Sequence, residues 1–130
     1  MVFYFDPSRE FYTPEGCYIL ELSNTAADPA ASIARARVTP GATTRWHRLR
    51  DTVERYLILE GTGRVEVGRL PPREVNPGDV VLIPPECRQR ITNMGEQDLV
   101  FLCLCTPRFN PQAYEDLEGA RPLRITGPEQ

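Results

Sequence analysis

Short runs of alternating hydrophobic and polar positions, broken at near-regular intervals by proline and glycine, make up most of this chain. Residues 32–38 (SIARARV) set Ala34, Ala36 and Val38 on one face and Ile33, Arg35 and Arg37 on the other, the two-residue period of a half-buried strand. Comparable runs predict strands over 17–22, 43–49, 53–60, 64–68, 80–84, 87–93 and 98–105. Gly61-Thr62-Gly63 reads as a hairpin, and Asn76-Pro77-Gly78-Asp79 as a turn in which proline presets φ and glycine supplies a positive one. Residues 69–75 carry Pro71-Pro72 and read as a connection or a short edge strand. An arm with one short strand precedes the pattern (1–16), and a C-terminal segment follows it (107–130). Within that segment 111–119 predicts a short helix, with Pro111 in its first turn and Gly119 as its stop, before a loosely held tail. The whole predicts an all-β double-sheet barrel or sandwich with its core over 17–106, and a single domain over 1–130.

Composition narrows the function classes. The formal net charge is −3, and no basic run or basic–aromatic interleaving is present, so nucleic acid is not expected as a partner. No stretch approaches the roughly 20 apolar residues of a membrane span, and the first residues lack an export pattern, which makes the cytoplasm the expected location. Cys17, Cys87, Cys103 and Cys105 are then expected to be reduced. Cys103 and Cys105 would share one strand face as small buried hydrophobes.

Two stretches carry the candidate chemistry. The first runs from Gly41 through His47, the only histidine, and Glu54 to Gly61; the second runs from Gly78 through Pro84 and Gln89 to Asn93. Both keep the spacing of the paired motifs of the cupin superfamily, and residues 30–106 resemble its small single-domain members. Leu49 stands where the family has a second histidine, Glu86 where it has a glycine, and Gln89 where it has a third histidine. The resemblance implies a double-stranded β-helix (jelly-roll) barrel of two antiparallel sheets, with the motif residues facing the lumen and often a divalent metal there. It also implies a homodimer, and a small-molecule ligand in the barrel. The family's activities range from isomerases, lyases and dioxygenases to sensors and storage proteins, so fold alone does not choose among them.

Strand alternation puts Arg45, His47 and Leu49 on one face, and Glu54, Tyr56 and Ile58 on one face of the next strand. A carboxylate in such a pocket needs a cation, a raised pKa or water. One solution is a divalent ion (Fe, Mn, Ni, Co or Zn) held by His47, Glu54 and Gln89, acting as Lewis acid on an oxygen-rich substrate. Glu54 released from a metal could serve as general base with Tyr56 as acid, while Arg45 and Tyr56 bind substrate. The other solution is a metal-free network, an Arg45–Glu54 ion pair with His47 bonded to Gln89, in a protein that only binds a small ligand. Phe109 and Tyr114 could close the mouth of the barrel, or simply pack.

Overall fold

The computed structural model describes residues 1–119 and is built almost entirely of antiparallel strands. In chain order these are β1 (Phe11–Tyr12), β2 (Tyr18–Ser23), β3 (Ser32–Val38), β4 (His47–Leu49), β5 (Val53–Glu60), β6 (Gly63–Val67), β7 (Arg73–Val75), β8 (Val80–Ile83), β9 (Gln89–Asn93), β10 (Leu99–Thr106) and β11 (Tyr114–Asp116). One sheet has the order β1-β2-β3-β10-β5-β8 and the other β11-β4-β9-β6-β7. They face each other as the jelly-roll barrel the resemblance implies. No helix among the described residues is long and apolar enough to cross a membrane.

Alternation decides what enters the barrel. On β5 the inward residues are Glu54, Tyr56 and Ile58, and on β10 they are Phe101, Cys103 and Cys105. One half of the interior is filled with hydrocarbon: Val38, Ile58, Val65, Ile91 and Leu99 are all buried in one cluster. The other half, toward Glu54, Cys103 and Cys105, stays open. The same strands therefore supply a packed floor and the wall of a cavity.

Two expected elements form differently. Residues 111–119 make no helix of the length the pattern suggested. A single 3₁₀ turn, Pro111–Ala113, is capped by the Asn110 side chain, and β11 follows and pairs with β4. So short a helix would be marginal alone, whereas the backbone groups of β4 have an open edge to offer. The strand expected over 43–49 is regular only from His47. Thr43 makes an isolated bridge to Thr92, and the Thr44 hydroxyl takes the Ile91 N–H at 3.0 Å, a side chain competing with the ladder.

Loop ends are fixed by specific contacts. Glu86 adopts φ 62°, the left-handed conformation that a glycine takes without strain, and its carboxylate accepts from the Asp51 N–H at 2.6 Å. Asn93 is 2% exposed; its amide donates to the Val38 and Gln97 carbonyls, both at 2.8 Å, and its oxygen accepts from the Gly95 N–H at 2.8 Å. It ties the last turn of the motif to both sheets. Asn93→Ala leaves these buried groups unpaired and is expected to cost about 2–4 kcal/mol in urea unfolding; a loss below about 0.5 kcal/mol would show that solvent replaces the contacts.

Candidate functional site

The open half of the barrel is a cavity of about 340 Å³, within the range of small-molecule sites. Ile19, Leu49, Phe101, Phe109 and Tyr114 supply much of its wall, and Glu15, Glu21, His47 and Glu54 are among its polar groups. The interior is thus neither solid nor turned inside out: His47 is 2% exposed and Glu54 8%.

His47 opens β4 directly opposite Gln89 on β9, the juxtaposition expected from the two motifs. Its Nδ1–H donates to the Arg45 carbonyl at 2.7 Å, which leaves Nε2 as the free ring nitrogen. Nε2 lies 3.6 Å from Glu15 Oε2, and the Tyr114 ring stacks on the imidazole with centroids 5.1 Å apart. Glu54 enters from β5, and its Oε1 accepts from the Gln89 amide at 3.0 Å. The Gln89 oxygen in turn accepts from the Tyr56 hydroxyl, which links Tyr56, Gln89 and Glu54 in one chain of hydrogen bonds. Burial pushes the Glu54 carboxyl up to about 7; the neighbouring Glu15 charge adds to the rise, while His47, the Gln89 amide and the Cys103 thiol oppose it. Burial likewise raises Tyr56 and Cys103, so both keep their protons at neutral pH.

The structure sorts the expected site residues. His47, Glu54 and Gln89 do come together, yet not as a metal set. The amide oxygen that would have been the third ligand is bound to the Tyr56 hydroxyl, and Gln89 presents its N–H side to Glu54. Among the described residues, no three His, Cys, Asp or Glu side chains converge as a metal site. The donor set does not fit the ion that the family resemblance suggested. Tyr56 shares its face with Glu54 as alternation required, but packs against Phe101, with ring centroids 4.4 Å apart, and is not among the residues that line the cavity.

Arg45 is a clear departure. The irregular backbone before His47 breaks the alternation, and the guanidinium turns away to grip Asp116 at 2.7 and 3.1 Å and the Gly119 carbonyl at 2.9 Å. It neither pairs with Glu54 nor lines the cavity. Glu15 is a member that sequence reasoning missed. It lies in the turn that follows β1, and nothing in its local pattern distinguishes it. Its place is set by a bond between distant segments, the Arg45 N–H to the Glu15 carbonyl at 2.9 Å. Tyr114, foreseen at the barrel mouth, does line the cavity, on a strand rather than a helix.

Comparison with known proteins agrees with the fold. The Cupin_2 model, a cupin domain, matches residues 34–105, and this chain belongs to that family. An uncharacterised protein of Methanocaldococcus jannaschii is 34% identical over 116 residues, covering 88% of this chain and 90% of its own. KdgF from Halomonas sp. superimposes with a TM-score of 0.72 at 19% identity, over 84% of this chain and 96% of that one. Pac13 from Streptomyces, a nucleoside dehydratase, does so with a TM-score of 0.73 at 15% identity, over 90% and 92%. At such identities these two structures speak for the fold alone.

Because the Glu54 carboxyl titrates near 7 when folded and near 4.5 otherwise, it costs nothing in acid and destabilises the fold increasingly as pH rises from about 4.5 to about 7. Glu54→Gln keeps an acceptor for Gln89 and removes that penalty. The variant should gain on wild type across this window, by at most roughly 3 kcal/mol above pH 7. Parallel pH dependences of wild type and variant in urea unfolding would contradict the raised carboxyl.

Proposed function

We propose that this cupin binds a small, mostly apolar molecule in its barrel and moves a proton on it without a metal, in an isomerase- or lyase-type reaction. The observation that carries the reading is the disposition of Glu54. One oxygen is held by Gln89, which is itself anchored by Tyr56, while the side chain lines an apolar cavity opposite the free Nε2 of His47. A general base works best with a pKa near the working pH and with its orientation fixed by a neighbour. Glu54 meets both conditions. In the proposed step Glu54 takes a proton from a carbon next to a carbonyl and returns it to a neighbouring carbon, with the His47 imidazole and the cavity wall holding the substrate in place. Tyr56 acts here as a positioning residue through Gln89. The metal-dependent route expected from the family finds its third ligand engaged elsewhere. A purely binding role shares the cavity but gives Glu54 no chemistry.

A neutral probe tests the reading. Phenylacetone in D₂O should exchange its α-hydrogens faster with untagged protein than without, as followed by proton NMR. Glu54→Gln should lower that excess rate by roughly 10²-fold, and chelator should leave it unchanged. Equal exchange by Glu54→Gln, or stoichiometric first-row metal in the purified protein that His47→Ala abolishes, would contradict it.

A homodimer is proposed on separate grounds. Among the described residues β8 is an edge strand that exposes Val80 (64%) and Leu82 (61%), and the arm exposes Met1, Val2, Phe3, Tyr4 and Phe5. An uncovered apolar edge is an invitation to pair, and a second copy brings the same edge and arm to cover it. Light scattering should return twice the chain mass for wild type and the chain mass for Leu82→Glu; a monomeric wild type would refute the dimer.

A further inference from the structure

The charges around the cavity restrict what can enter it. Among the described residues, Glu15, Glu21 and Glu54 are carboxylates in its lining and His47 is the only basic side chain there. Even with the imidazole counted as a cation, the acids outnumber it. The chain does not lack cations, since it has 15 Lys and Arg residues against 18 Asp and Glu. Several of them are paired with carboxylates outside the cavity. Arg45 holds Asp116, Arg35 and Arg37 hold Glu10, Arg48 and Arg50 share Glu115, and Arg90 holds Glu66. Arg45, one of the two residues expected to bind substrate, has its fork filled by a carboxylate of its own chain.

The aromatic wall fits an apolar body: the Tyr114 ring, stacked on His47, lines the same cavity. We infer that the lumen excludes anions and takes an apolar molecule bearing an amine or, less tightly, a hydroxyl, with its polar end between Glu15 and Glu54. An ammonium offers its donors to the carboxylates; a carboxylate or phosphate in the same place faces like charge in a poorly hydrated site.

The inference rests on the proposed lumenal site but not on its chemistry, so one series of probes separates the two. Benzylamine, benzyl alcohol and benzoate differ mainly in charge. Each would be titrated at pH 8 into the whole protein, followed by thermal stability and by the imidazole NMR signals of His47, whose uniqueness makes it a reporter of the lumen. Benzylamine should bind most tightly, benzyl alcohol less so, and benzoate at least about tenfold more weakly than benzylamine. Glu15→Gln and Glu54→Gln should each narrow the gap between amine and acid, and either variant suffices if the other folds poorly. Benzoate binding as tightly as benzylamine, or no probe moving the His47 signals, would overturn the inference. Loss of proton exchange with this charge order intact would sink the catalytic reading alone. The reverse pair of results would sink only the ligand class.

Discussion

A carboxylate placed inside a barrel has to be reconciled with the loss of water, and the way Glu54 is reconciled sets the character of the site. An isolated buried ion would cost several kcal/mol. Here the charge is met by a hydrogen-bond chain that begins at Tyr56, passes through the Gln89 amide and ends on Glu54. That chain contributes only one neutral donor to the carboxylate. Burial and Glu15 therefore still win, and the carboxyl stays protonated well above its ordinary range. A salt bridge would have fixed the charge permanently. This arrangement leaves it available.

The same chain explains why a family position can keep its geometry while changing its chemistry. Gln89 sits across from His47 in the register that the two motifs require, so the backbone needs no adjustment. A glutamine, however, both donates and accepts, and here its oxygen is engaged by Tyr56 and one N–H by Glu54. Leu49, at the other altered histidine position, is buried at 4% exposure and lines the cavity as hydrocarbon. Both changes move the lumen from ligand donors toward an apolar wall that carries a few acids and one imidazole. Arg45 follows the same direction, because its guanidinium serves the C-terminal strand and not the cavity.

Much of this was legible in the chain. The period of two gave most strands within a residue or two, and the motif register placed His47, Glu54 and Gln89 together before any coordinates. What was not legible came from contacts between distant segments. Glu15 enters the lumen because its turn is pinned to the backbone of Arg45, a fact with no local signature. The reading of Arg45 failed because alternation holds only inside a regular strand, and Thr44 breaks the strand there. The helix expected at 111–119 lost to the open edge of β4, which no local propensity can weigh. Tyr56 was assigned to the correct face but the wrong depth, since alternation says which way a side chain points and not what stands in front of it.

The protons of the Tyr56–Gln89–Glu54 chain decide whether the lumen is an acid–base site or a vacant metal set, and neutron diffraction from crystals grown in D₂O would locate them. The predicted result is a deuteron on the Tyr56 oxygen directed at Gln89 Oε1, with the Gln89 ND₂ group directed at Glu54. Gln89 turned so that its oxygen faces the cavity beside His47 Nε2, with density for an ion between them, would contradict it.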